Sequence, residues 1–333
     1  MADRKITSLP LTGRRWIGQS LSGVFNSRLW IALLTQILTA ICRNYVLQVS
    51  DRLVTAGARI HDQLAPKTVI CRSRDALVCV GYTGLAYLDG IPTDQWIAQS
   101  FRGAPLVGGI AFDQSRTRPN KADIGLLTKG LVHELQKVVS SLDPKRSKYP
   151  LALNISGWQW YKGKPVVRPI TVEIVKLEDS DKIYVSRKPR NWLQTLSLQV
   201  FDTGGHVSRD IGLRKGLIDR LNAVGKGALT APALVENAFA TTIREASAKI
   251  PSVGADLMTV LMPSSPIGAR VTFSAAAPHQ IAYAPWIIGQ TIAIGPSACT
   301  VGFIADLGVP VEVVAPDDGL PGYIEGQARP PSR

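Results

Sequence analysis

Short apolar runs with a period of two fall into two blocks along this chain, and each block is followed by a pair of amphipathic stretches of helix length. The first block covers residues 36–42, 45–49, 68–71 and 76–80, and helical spacing follows at 93–101 and 123–142. The second covers 151–155, 166–175, 183–185 and 196–201. Helical spacing returns at 209–223 and 233–249, and two closing strands are expected at 257–262 and 271–273. Alternation with period two is the mark of a strand with one face to a core, and recurrence every three or four residues marks a helix with one buried face. A doubly wound parallel sheet alternates strand and helix throughout, so this order excludes it. It points instead to sheets stacked face to face with helices outside.

Local chemistry supports individual elements. Arg43-Asn44 offers a turn between the first two strands, which makes them a hairpin ending at Ser50-Asp51-Arg52. Thr93-Asp94 can cap the first helix, and Pro232 stands near the start of the last, where its missing N–H costs nothing. Residues 285–288, 301–304 and 311–314 read as edge strands or as a clamp, and 327–333 read as a disordered tail.

A chain of 333 residues with 45% apolar and 19% charged side chains can bury a large core. The formal charge of +13 attracts phosphates, acidic surfaces or anionic head groups at long range but says nothing about fold. Part of it lies in residues 1–34, where Arg4, Lys5, Arg14, Arg15 and Arg28 face only Asp3; this weakly periodic segment reads as a leader or pro-segment. The apolar run at 29–41 falls short of the roughly 20 residues that span a bilayer as a helix, so no membrane span is expected. Cys42, Cys71, Cys79 and Cys299 form no C-x-x-C pair, and His133-Glu134 lacks a second histidine four residues after the first. No structural zinc, other metal or cofactor is indicated, and a reducing cytoplasm fits.

Four residues of the first block stand at regular separations. Asp51 lies 16 residues after Thr35, Lys67 lies 16 after Asp51, and Gly81 lies 46 after Thr35. In this order and spacing the sequence resembles the proteasome β-subunit and its bacterial HslV-type relatives, which are N-terminal-nucleophile (Ntn) hydrolases. Val46-Leu-Gln-Val-Ser-Asp-Arg52 looks like the strand leading to the family aspartate, and Val80-Gly-Tyr-Thr-Gly-Leu-Ala86 looks like its glycine-rich strand-to-helix turn. The resemblance covers residues 35–86 and, loosely, 244–262. It implies an α+β fold, a four-layer αββα Ntn sandwich of two mostly antiparallel sheets, with Thr35 as nucleophile, Asp51 and Lys67 beside it and Gly81 as oxyanion donor. By the same resemblance Thr55 aligns substrate, and Ser252 is carried over from Ser252-Val-Gly-Ala-Asp256. Asp256 is not carried over, because here the aspartate follows the serine.

The implied activity is hydrolysis of a peptide or amide substrate. A threonine hydroxyl is a poor nucleophile near neutrality and needs a base, which a free α-amine with a pKa near 8 can supply. Thr35 follows Leu34 in this sequence, so the expectation requires removal of residues 1–34 or a start at position 34. The domain then runs from 35 to 265 with an insertion at about 143–205, and 266–333 form an extension. A homo-oligomeric ring is implied by the resemblance alone.

Two rivals remain open at this level. A non-catalytic subunit of the same fold keeps the sandwich and loses the chemistry. A basic nucleic-acid platform is suggested by Trp158, Trp160, Tyr161, Lys162, Lys164 and Arg168, then Lys182, Arg187, Lys188, Arg190 and Trp192. Aromatics in strands usually serve packing, however, so nucleic acid is not the expected partner.

Overall fold

The computed structural model describes residues 35–56, 59–103, 122–160, 167–187, 198–265, 267–274, 285–289, 293–294 and 311–313. The expected leader at 1–34, the run at 301–304 and the expected tail at 327–333 lie outside the described residues.

The chain opens with β1 (Ile37–Ile41), β2 (Tyr45–Asp51), β3 (Val54–Ala56), β4 (Arg59–Asp62), β5 (Thr68–Arg72), β6 (Ala76–Gly84), β7 (Tyr87–Leu88) and β8 (Ile91–Pro92). Three helices follow, α1 (Thr93–Arg102), α2 (Ile124–Ser140) and α3 (Pro144–Ser147). Then come β9 (Leu151–Trp160), β10 (Val167–Lys176), β11 (Ile183–Arg187) and β12 (Gln199–Thr203). The helices α4 (His206–Arg209), α5 (Ile211–Val224) and α6 (Pro232–Ser247) precede β13 (Leu257–Pro263), β14 (Ala269–Ser274), β15 (Trp286–Ile288), β16 (Ala293–Ile294) and β17 (Val311–Val313). The two blocks of strands and their helices stand where the periodicity puts them. The short β3–β4 and β7–β8 hairpins carry too few residues to show a period, and they are seen only in the structure.

This is a mixed α+β fold. Among the described residues one sheet has six strands in the order β12-β1-β2-β13-β14-β17, and a second has seven in the order β11-β10-β9-β6-β5-β15-β16. Neighbours are antiparallel except β14 with β17 and β5 with β15, which are parallel. The stretch expected as an insertion supplies β9, paired between β6 and β10, and β12, paired with β1.

Three cores explain the burial. Ile41, Val46, Ile70, Leu77, Trp158 and Met258 come from both sheets and pack together between them. On the outer face of the seven-stranded sheet Val78, Val80 and Ile155 meet Ile97, Phe101 and Leu131 of α1 and α2. On the outer face of the six-stranded sheet Leu38, Leu47 and Val49 meet Leu217, Phe239 and Ile243 of α5 and α6. Every residue of β2 and β6 is therefore buried, on both faces. Each fully buried side chain of Leu, Ile or Phe size contributes about 1.5–3 kcal/mol before entropy is set against it.

Capping follows from sequence with one correction. Asp123 accepts from Leu126 N at 2.8 Å at the start of α2, and Asp210 accepts from Leu213 N at 2.9 Å at the start of α5. Pro232 opens α6 as expected. The cap expected from Thr93-Asp94 does not form: Pro92 is the N-cap, and the Thr93 hydroxyl donates to Leu85 O at 2.7 Å, tying the helix to the end of β6.

Among the described residues no helix is long and apolar enough to cross a membrane, and the second part of the apolar run at 29–41 forms β1. Trp158 is 1% exposed, with Nε1 donating to Met262 O at 2.9 Å, so its ring is core and offers no face for stacking. Trp160 lies under the Arg72 guanidinium at 3.8 Å. Tyr161, Lys162, Lys164, Lys188, Arg190 and Trp192 lie outside the described residues.

Candidate active site

The antiparallel pairing carries one end of several strands to one place. Thr35 and Gln36 lead into β1, Asp51 closes β2, and Leu257 at the start of β13 stands opposite Asp51. In the other sheet Lys67 leads into β5, and Tyr82 N in β6 donates to Lys67 O at 3.1 Å. Residues far apart in sequence thus meet at the mouth of the layer between the sheets.

Thr35, Asp51 and Lys67 are brought together. Lys67 Nζ donates to Thr35 Oγ1 at 2.6 Å, to Asp51 Oδ2 at 3.1 Å and to the carbonyl of Leu53. An ammonium has three protons, and all three have acceptors here. Asp51 accepts from two backbone N–H groups besides, Gln36 N to Oδ1 and Gly254 N to Oδ2, each at 2.8 Å. Thr35, Asp51 and Lys67 are 5%, 0% and 1% exposed.

Burial dominates the electrostatics. It lowers the Lys67 pKa from its ordinary value, opposed by the Asp51 charge, and it raises that of the Asp51 carboxyl, opposed by Lys67 and by the N–H groups of Gly254 and Gln36. The lowering at Lys67 is the one that bears on chemistry. An amine more easily deprotonated and in contact with a hydroxyl can exchange a proton with it or stabilise its oxyanion.

The remaining expected residues are placed differently. Gly81 lies inside β6 opposite Thr68 on β5 and Asn154 on β9. Because Tyr82 N points to β5, alternation along an antiparallel strand turns the N–H of Gly81 toward β9. The space over its Cα is filled by Gln48, whose Oε1 would stand 2.8 Å from a Cβ there. Thr55 is on β3, buried, and its hydroxyl has no partner among the described residues. Ser252 sits half-buried in the turn between α6 and β13, and that turn reaches the cluster through Gly254 N rather than through the serine.

Three contributors escaped the sequence reading. Gly254 stands two residues after Ser252, in the stretch that resembled a family site, and the glycine was the informative residue there. Leu53 acts through its carbonyl, which no side-chain pattern records. Thr83 donates from Oγ1 to Thr35 O at 3.1 Å; it lies in the stretch Val80–Ala86, where the resemblance rested on the glycines and not on this hydroxyl. Among the described residues no three His, Cys, Asp or Glu side chains gather as a metal site would need.

No family model matches the sequence, and no curated protein matches it. Among solved structures the chain is similar to Anbu (ancestral beta-subunit) from Yersinia bercovieri, with 12% identity and a TM-score of 0.41 over 69% of this chain and 82% of that one. It is also similar to a Gly-1 mutant of Anbu from Hyphomicrobium sp. strain MC1, with 14% identity and a TM-score of 0.44 over 73% of this chain and 88% of that one. The proteasome β-subunit and HslV-type resemblance read from spacing is corrected accordingly: these similar structures are Anbu proteins, proteasome-like but a distinct family. The chemistry of the site rests on its own geometry.

Proposed function

We propose that this chain is a threonine-nucleophile hydrolase of amide or peptide bonds, built as a four-layer αββα Ntn-type sandwich. The observation that carries the reading is the 2.6 Å contact from Lys67 Nζ to Thr35 Oγ1 beside the buried Asp51 carboxylate. In this reading Thr35 Oγ1 attacks the substrate carbonyl, and its proton passes to the α-amine of Thr35 once residues 1–34 are removed. Lys67, held by Asp51 and Leu53 O, keeps positive charge beside the oxygen as it loses its proton. Gly81 is left out of the oxyanion role, since its N–H is directed to β9. Thr55 on β3 is proposed to align the substrate through its backbone. The hydrolase domain is taken as 35–265, with 266–333 as an extension that adds β14 and β15 to its two sheets. A cytoplasmic, homo-oligomeric protein belongs to the same proposal; the thiols of Cys42, Cys71 and Cys79 are free.

One observation favours a second reading, a non-catalytic subunit: the nitrogen of Thr35 is joined to Leu34 in this sequence, and an amide nitrogen is no base. Intact mass and N-terminal sequencing of protein expressed from the full gene, with hydrolysis of peptide anilides as the assay, separate the two. A chain starting at Thr35 whose turnover disappears in Thr35→Ala supports the hydrolase. A chain that keeps residues 1–34 and hydrolyses nothing supports the second reading.

A further inference from the structure

The Thr35–Gln36 peptide group is gripped at both of its polar atoms. Its N–H donates to Asp51 Oδ1 at 2.8 Å, and its oxygen accepts from Thr83 Oγ1 at 3.1 Å. Asp51 belongs to the six-stranded sheet and Thr83 to the seven-stranded one, so the two sheets hold opposite edges of one peptide plane. A third group closes on the same oxygen. Gly204, just after β12 with φ of +132°, approaches so near that a Cβ there would lie 2.4 Å from Thr35 O. Thr83 is 0% exposed, and its hydroxyl can donate only one proton, which goes to Thr35.

Fixing a peptide plane fixes the backbone torsion of the residue before it. Threonine is β-branched and stiff at χ1, so the direction of its Oγ1 follows the backbone more closely than for serine. We infer that Thr83 is a positioning residue for Thr35: its hydroxyl locks the Thr35–Gln36 peptide so that Thr35 Oγ1 faces Lys67 Nζ. It touches neither substrate nor reacting atoms and acts through the carbonyl of Thr35. Its position on β6 makes the separation of the two sheets a determinant of whether the hydroxyl and the amine meet. The consequence for reaction, though not the geometry itself, rests on the hydrolase reading.

The test uses the full chain as wild type, Thr83→Val, which keeps the shape and removes the donor, and Thr83→Ser, which keeps the donor. A β-lactone probe esterifies a reactive threonine hydroxyl, adding its whole mass as the ring C–O bond opens and the threonine proton ends on the released oxygen. Labelling at Thr35 is followed by mass spectrometry, alongside crystal structures of the three proteins. Thr83→Val is expected to label about 10- to 100-fold more slowly, the scale of a small misplacement of a reacting group, with Thr83→Ser near wild type. In its crystal structure Thr35 Oγ1 is expected to have left hydrogen-bond reach of Lys67. Unchanged labelling in Thr83→Val, or a Thr35–Lys67 contact that survives there, overturns the inference. If wild type itself takes no label, the hydrolase reading fails, and the crystal structures still decide the positioning role.

Discussion

The Lys67 ammonium and the Asp51 carboxylate meet at 3.1 Å, with 1% and 0% of their side chains exposed. Two charges removed from water this completely cost several kcal/mol each to desolvate, and only the surrounding hydrogen bonds make the pair tolerable. Asp51 has two backbone donors, and Lys67 has a carbonyl and a hydroxyl. A chain that needed only stability could fill this place with apolar side chains, which is why the pair is read as functional.

Breaking the pair from one side leaves an unmatched buried charge. Lys67→Met is expected to cost about 3–5 kcal/mol in urea unfolding, whereas Lys67→Met with Asp51→Asn recovers most of the loss. A double variant no more stable than the single one would contradict the view that the charges are coupled.

The pH dependence has a definite sign. Burial lowers the Lys67 pKa, so its neutral form appears at lower pH than for a free lysine, whose pKa is about 10.4. Because Lys67 acts through its positive charge, acylation of Thr35 is expected to fall as Lys67 loses its proton, with a midpoint below that value, and Lys67→Arg, which stays charged, is expected to lack this limb. A midpoint at or above that of free lysine would count against a role for the Lys67 charge. Folding follows the opposite sign: between the lowered folded pKa and the unfolded one the unfolded chain binds more protons, so the contribution of Lys67 to stability rises with pH.

Gly254 admits no side chain. A Cβ there would stand 2.7 Å from Leu53 Cβ, on the residue whose carbonyl holds Lys67, and the turn would have to move away from Asp51. Gly254→Ala is expected to lose about 1–3 kcal/mol and to slow acylation of Thr35. Ser252→Ala, two residues away, is expected to change stability by about 0.5 kcal/mol or less. Equal effects of the two in thermal unfolding would remove the distinction drawn between them.

Burial pushes the thiols of Cys71 and Cys79 up to about 12. Neither is expected to react with iodoacetamide at pH 8 in the native protein, and both are expected to react in guanidinium, as peptide mapping by mass spectrometry can show. Unfolded thiols ionise near pH 8.5 while the folded ones keep their protons. Each therefore costs stability above that pH, by at most about 1.4 kcal/mol per pH unit. The urea midpoint should fall more steeply from pH 8.5 to 10 in wild type than in Cys71→Val/Cys79→Val.

How far the site was legible follows from where its residues lie. Thr35 and Asp51 flank one local hairpin, β1–β2, so the sequence by itself determined that a hydroxyl and a carboxylate would come to one edge of a sheet, whereas Lys67 leads into β5 of the other sheet and its amine reaches them only through the packing of the two sheets. It also determined the two strand blocks and the helices α2 and α6, whose periods are long enough to read. Only the tertiary structure decided that Gly254, Thr83 and Gly204 close on that edge, because their approach depends on β13 pairing with β2, on the register of β6 against β5 and β9, and on one sheet packing over the other. The same register turned Gly81 from the site toward β9. Periodicity tells which face of a strand is buried, but the partner of a backbone N–H is settled by long-range pairing, which leaves no mark in the residues themselves.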